Sequence, residues 1–225
     1  MKRYNRPEYT DARKRIRKFI KANHRLPNYC QFKAQDGTFH RLDKKEYVGL
    51  FRDYMQFCLK HNREPNYLTF NSTASYPLVV NYQDDKYSCG PTSLQMCMQM
   101  LFEYKSEATV KKTLGTNKNG TTPAQLIAGA KKLGYKVTPI GRNFKSVKEA
   151  LDKYCPVIMH IETLSAKSCL GYKNSYGHYI MCYKADTGKY FVIDPTKGKH
   201  TCNMKTLEKA TGGSSNRKFY KVEII

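Results

Sequence analysis

The segment Ser88-Cys89-Gly90-Pro91-Thr92-Ser93 constrains this chain more than any other. It runs into an apolar stretch with Leu94, Cys97, Met98 and Leu101 on one face, which predicts a helix from Cys89 to about Tyr104. Pro91 suits the first turn, where its missing N–H is not needed. A thiol at the head of a helix sits in the positive end of the dipole, which favours thiolate, and Gly90 leaves room for a substrate backbone. Gln83 lies six residues upstream, spaced to set its side-chain amide beside the Cys89 backbone N–H. Together they would form a two-donor oxyanion hole.

A cysteine nucleophile needs a base, and the base needs an orienting group. Gly177-His178-Tyr179-Ile180-Met181 puts a histidine at the start of a strand, and Ile193-Asp194-Pro195 puts a carboxylate at the end of the next. Asp186-Thr187-Gly188 is the hairpin turn between them, so Asp194 is expected beside His178, holding its tautomer. Each piece alone has a plainer explanation: a loop, a core histidine, a turn. Four in the order Gln, Cys, His, Asp, each on a suitable element, point to Cys89, His178 and Asp194 as one catalytic set. Thr92 and Ser93 fit a first helical turn, not a nucleophile. His24 and His61 belong to a basic repeat, His40 and His200 sit beside turns, and His160 ends an apolar strand. Asp84-Asp85 suits a solvated loop or cap better than a cation site, and no metal ligand set is predicted.

Further helices are expected from Pro123 to Leu133, capped by Thr122 and closed by Gly134, and from Ser146 to Tyr154. Val157–Ile161, His178–Lys184, Tyr190–Ile193 and Phe219–Ile224 have the β-branched and aromatic character of strands, and Tyr76–Tyr82 is expected to be extended. Helices first and antiparallel strands after them give an α+β layout. The eight cysteines lack paired metal spacing, and most sit among apolar neighbours, so they are expected to be reduced and buried. The polar stretch Met1–Thr10 and the short apolar runs predict neither an export signal nor a membrane span.

Two N-terminal segments repeat at an offset of 38 residues. Phe19 to Phe32 carries Arg25, Pro27, Asn28 and Tyr29; Phe57 to Phe70 carries Arg63, Pro65, Asn66 and Tyr67. Each follows a helical pattern and leaves it at a proline. The second copy has Glu64 where the first has Leu26 and is expected to be incomplete. Asn71–Ser75, a run of small polar residues, is the expected linker, dividing a module at 1–75 from a domain at 76–225. The formal charge of +22 on 225 residues is denser in the first third and suits a polyanionic partner.

Gln83, the Cys89–Ser93 helix start, Thr121-Thr122-Pro123, Gly177-His178 and Asp194-Pro195 resemble the C39-like, papain-fold cysteine peptidases. The Arg-x-Pro-Asn-Tyr segments resemble the pseudomurein-binding repeat. The combination is similar to the pseudomurein endoisopeptidases of viruses and proviruses of methanogenic archaea. That resemblance implies a papain-like domain, with a helix on an antiparallel sheet, behind a small, mostly helical module. It also implies cleavage of the Ala–Lys isopeptide bond of the pseudomurein cross-bridge, in lysis of the host wall, by Cys89, His178 and Asp194. Wall contacts would come from Tyr29, Tyr67, Arg25, Arg63, Asn28 and Asn66, although the two tyrosines serve equally well as small cores. No cofactor is required beyond reducing conditions for the thiol. Calcium stimulation is associated with the family, but no ligand set for it is visible. The expected partner is the wall polymer, not a nucleic acid or membrane, met by a monomer made in the host cytoplasm. Two other readings are a processing peptidase or acyl transferase with the same triad, and a basic nucleic-acid-binding protein; the latter lacks any nucleic-acid motif.

Overall fold

The structure, a computed structural model, describes residues 2–211 and 217–225. The chain forms two compact units: residues up to Val79 with Met98–Ser106, and Val80–Cys97 with Glu107–Ile225.

The first unit runs β1 (Arg3–Asn5), α1 (Arg6–Asn23), β2 (Tyr29–Lys33), β3 (Phe39–Asp43), α2 (Lys44–His61) and β4 (Tyr67–Thr69). Asp43 caps α2 through a reciprocal box with Glu46, and Pro7 occupies the first turn of α1. Both helices end in a left-handed residue, His24 (φ 51°) and Asn62 (φ 49°), 38 positions apart. Strand pairing crosses between the copies, β1 with β4 and β2 with β3. Tyr9 and Tyr47, both fully buried, each donate to the proline carbonyl of the other copy. Tyr9 reaches Pro65 at 2.5 Å and Tyr47 reaches Pro27 at 2.7 Å. Each copy is therefore a complete strand–helix–strand, and the pair closes on itself with pseudo-two-fold symmetry. This corrects the expectation of a truncated second copy. The shared half lies upstream of the proline motif, where few side chains besides Arg3/Arg41 and Tyr9/Tyr47 repeat. Glu64, in place of buried Leu26, faces Arg13 at 3.1 Å and accepts from the Tyr54 hydroxyl. Ser72 donates to Asp53 and the Ala74 N–H to the Lys45 carbonyl, so residues of the 71–75 stretch are tied to α2.

The second unit contains α3 (Cys89–Met100, whose last residues pack with the first unit), α4 (Glu107–Leu114), α5 (Pro123–Lys132), β5 (Tyr135–Ile140), α6 (Phe144–Asp152) and β6 (Val157–Glu162). It continues with α7 (Lys167–Leu170), β7 (Gly177–Asp186), β8 (Lys189–Asp194), β9 (Gly198–Asn203), α8 (Met204–Thr211) and β10 (Phe219–Ile224). The six strands pair antiparallel in the order β5-β10-β6-β7-β8-β9, which gives the expected α+β fold. The two strands not anticipated, β5 and β9, are the sheet edges. An edge strand shows a weak apolar pattern and tolerates Pro139. Tyr76–Tyr82 carries no ladder. Thr122 caps α5 with Gln125 as its partner, as its motif implies. α3 is shorter than expected because the chain turns left-handed at Phe102 (φ 61°).

Val147, Val157, Met159, Ile180, Val192 and Phe219 belong to the apolar core beneath the sheet. Cys169 on α7 and Cys202 on β9 form a disulfide, correcting the expectation that every cysteine is reduced. The two lie 33 residues apart with no spacing motif; α7 packing against β9 brings their Cα atoms to 5.4 Å.

Candidate active site

α3 positions the nucleophile candidate. The Ser88 carbonyl accepts from the Thr92 N–H at 3.0 Å and its hydroxyl at 2.8 Å, closing the first turn around Cys89. The Thr92 hydroxyl also contacts a carboxylate oxygen of buried Glu107 at 2.8 Å, and the other Glu107 oxygen accepts the Asp84 N–H at 3.1 Å. Burial raises the Glu107 carboxyl above its ordinary range. That carboxyl pins the loop to the helix start, a role that nothing in the sequence flagged. A Cβ on Gly90 would lie 2.7 Å from the Thr121 hydroxyl and 2.9 Å from its Cβ. The missing side chain is therefore filled by the Thr121-Thr122-Pro123 loop, where the sequence had suggested space for substrate.

His178 opens β7 and Asp194 closes β8. The register sets Ile193 opposite Met181, so Asp194 reaches His178 diagonally instead of directly across. His178 Nε2 meets Asp194 Oδ1 at 3.0 Å, and both residues are buried. Burial alone lowers the His178 basicity. Hydrogen bonds to Asp194 and Cys89, with the charges of both, outweigh it and raise the ring to about 9. Nε2 is committed to Asp194, which leaves Nδ1 to face the thiol. Burial likewise pushes Asp194 up, but His178, the Thr196 N–H and the Tyr172 hydroxyl hold its carboxyl below the usual range.

Asp194 is densely solvated by protein. Oδ1 accepts from the Thr196 N–H at 2.7 Å and the Lys197 N–H at 3.3 Å, and Oδ2 accepts from the Tyr172 hydroxyl at 2.8 Å. Gln83 is drawn to the same turn: its N–H donates to the Pro195 carbonyl at 2.9 Å, and its Oε1 accepts from the Thr196 hydroxyl at 3.2 Å. One hydrogen of its amide goes to the Asp85 carbonyl, and a primary amide has a second to give. The Asp85 carboxylate accepts from the Tyr87 N–H and the Ser88 hydroxyl and pairs with Lys111, so both its oxygens are engaged within the unit.

In the first unit, Tyr29 and Tyr67 are half exposed, at 49% and 46%, and the buried aromatics there are other residues. The Arg41 guanidinium lies 3.6 Å from the centre of the Tyr29 ring, and Arg3 lies 4.7 Å from that of Tyr67. Arg25 covers Phe19 and Arg63 covers Phe57, each at 5.0 Å. Asn28 and Asn66 are exposed beside the tyrosines. Arg3 and Arg41, 38 apart like the tyrosines they cover, are legible in the sequence once the repeat is extended upstream.

A helix-borne thiol beside a buried histidine–carboxylate pair defines a cysteine peptidase site on a papain-like fold. Residues 78–211 match the peptidase C39 family, and the chain belongs to that family. No curated protein matches the chain in sequence. Among solved structures, the peptidase domain of Streptococcus ComA, a bifunctional ABC transporter involved in a quorum-sensing pathway, is 20% identical. It has a TM-score of 0.52 and the match covers 65% of this chain and 98% of that one. A C39-like peptidase from Bacillus anthracis is 13% identical with a TM-score of 0.51, covering 64% and 94%. These likenesses concern the fold. Among the described residues, no helix is long and apolar enough to cross a membrane.

Proposed function

We propose that the chain is a cysteine endoisopeptidase that cuts the Ala–Lys isopeptide bond of the pseudomurein cross-bridge, with the first unit holding it on the wall. The observation that carries the chemistry is the buried His178–Asp194 pair at 3.0 Å, coupled to Cys89 at the head of α3. In this reading the Cys89 proton already resides on the His178 ring, which stands near 9, and the sulfur attacks the alanine carbonyl carbon. The Cys89 N–H and the second Gln83 amide hydrogen receive the oxyanion. The C–N bond then breaks, and His178 Nδ1 delivers the proton to the departing lysine amine, leaving a thioester. Water attacks the thioester with its proton taken by His178, the C–S bond breaks, and the thiol is restored. Asp194 keeps Nε2 protonated throughout and never accepts the proton itself.

What supports the substrate is the resemblance of the repeats together with their surface. The two Arg–Tyr stacks, Arg41 on Tyr29 and Arg3 on Tyr67, are equivalent under the pseudo-two-fold, so they offer two like contacts to a polymer of repeating acidic units. A guanidinium stacked on a ring still presents its N–H fork to a carboxylate. Arg25, Arg63, Asn28 and Asn66 flank these contacts.

The test is incubation of the chain with purified pseudomurein and mass analysis of what is released. Free ε-amino lysine and carboxyl-terminal alanine are the expected new ends. Release from a double-glycine peptide but not from pseudomurein would replace the wall substrate with a processing one. In parallel, Cys89→Ala should sediment with pseudomurein sacculi and not with murein. That binding should weaken as salt shortens the Debye length towards about 8 Å. Tyr29→Ala and Tyr67→Ala should each weaken it and together abolish it. Equal retention by DNA and sacculi would revive the nucleic-acid reading.

A further inference from the structure

Tyr172 lies in the loop between α7 and β7, where no motif marks it, and it is 7% exposed. Its hydroxyl donates to Asp194 Oδ2 at 2.8 Å and lies 3.3 Å from His178 Nε2. Its ring meets those of Tyr176 and His178 edge-on, at 5.6 and 5.5 Å. The loop around it is fixed from three sides. Gly171 ends α7 with φ 67°, a conformation that glycine adopts without strain. The Lys197 ammonium lies 4.2 Å from the centre of the Tyr172 ring and donates to the Gly171 carbonyl at 3.0 Å. Three residues upstream of Tyr172, the Cys169–Cys202 disulfide ties α7 to β9, the strand beside β8.

We infer that Tyr172 is a positioning residue for the reaction: its hydroxyl locks the plane of the Asp194 carboxylate so that Oδ1 stays aimed at His178 Nε2. Oδ1 already takes His178 and two backbone N–H groups, all near one end of the carboxylate. The only other side-chain partner it has among the described residues is Tyr172, on Oδ2. Without that bond the carboxylate is free to rock about its Cβ–Cγ axis, and the imidazole rocks with it. A hydrogen bond to a charged group is worth more than one between neutral groups, and part of its loss should appear in the transition state. The Tyr172 ring packs edge-on against His178, and both His178 and Asp194 are buried, which keeps the Nε2–Oδ1 contact strong.

The inference rests on the triad reading, so its test separates the two. Tyr172→Phe keeps the ring and its packing and removes only the hydroxyl. The expected result is a roughly tenfold lower kcat on a soluble isopeptide, an unchanged KM, and an alkaline limb of the pH–rate profile at lower pH. A merely structural role would lower the melting temperature and leave kcat and the limb alone, which would overturn the inference. Asp194→Asn measured alongside distinguishes the readings. If it is impaired while Tyr172→Phe behaves as the parent, only the Tyr172 role falls; if Asp194→Asn is itself silent, the triad reading falls and takes this with it. Should Tyr172→Phe fail to fold, the unmodified chain still decides. A slowly exchanging Tyr172 hydroxyl proton whose NMR shift titrates with the His178 ring is expected, and a hydroxyl exchanging freely with water would overturn the proposal.

Discussion

Asp194→Asn is the perturbation that reads the site most directly, because it removes charge and leaves shape. His178 stands near 9 against an ordinary 6.5. At about 1.36 kcal/mol per pKa unit, that is roughly 3 kcal/mol in favour of the protonated ring. Hydrogen bonds and charges from Asp194 and Cys89 supply it together against the cost of burial. An asparagine still offers Oδ1 to Nε2 and to the two backbone N–H groups. Its Nδ2, however, meets the Tyr172 hydroxyl where a charged oxygen had accepted from it, so a charge-assisted hydrogen bond is lost. A lost hydrogen bond to a charged group is worth about 1.5–3 kcal/mol, which predicts a fall in kcat/KM of about ten- to a hundredfold, less than the loss in His178→Ala. The proton held by the ring should leave at lower pH, because the carboxylate charge no longer favours it. An assay that needs no substrate is NMR titration of the His178 ring, whose alkaline limb is expected near 9 in the parent and at lower pH in the variant. Stability carries the same sign. The His178 contribution is complete below its ordinary 6.5 and is lost as pH rises through about 9. The Asp194 contribution is present above its ordinary range and is lost as pH falls through its depressed value. An alkaline limb that stays near 9 in Asp194→Asn would refute the claim that this carboxylate sets the basicity of His178.

Alkylation under native conditions should label Cys89 first and Cys89→Ala should be inactive but folded. Burial raises Cys30 to about 11 and Cys58, Cys155 and Cys182 to about 12, and peptide mapping of the adduct checks the order. Gln83→Ala should lower kcat by about two to three orders of magnitude with little change in KM, since an oxyanion donor acts mainly in the transition state; a rise in KM alone would assign Gln83 to binding. Gly90→Ala should push against Thr121, with contacts of 2.7–2.9 Å to its side chain, and lower stability by about 1–3 kcal/mol. Thr121→Gly in the same chain, which removes both contacting atoms, should recover part of that loss in a urea titration.

The sequence by itself determined the catalytic candidates and the fold class. Cys89 announces itself through Gly-Pro at a helix head, His178 and Asp194 through the ends of two strands joined by Asp-Thr-Gly, and α5 through Thr122-Pro123 and Gly134. These are local signals, set by backbone geometry within a few residues. Edge strands β5 and β9 were not legible, because an edge needs no continuous apolar face and its pattern dissolves into polar residues such as Lys199 and His200. The second repeat looked incomplete because its closing contacts, Tyr9 to Pro65 and Tyr47 to Pro27, join residues 56 and 20 positions apart. Tertiary structure alone decided which groups surround the pair at the site. Tyr172 on Asp194, Glu107 under the Cys89 turn, Thr121 against Gly90 and Cys169 on Cys202 come from loops and elements whose composition gives no sign of where they will pack. Their positions follow from how the helices and loops settle on the sheet, a property of the whole domain that no short stretch of sequence encodes.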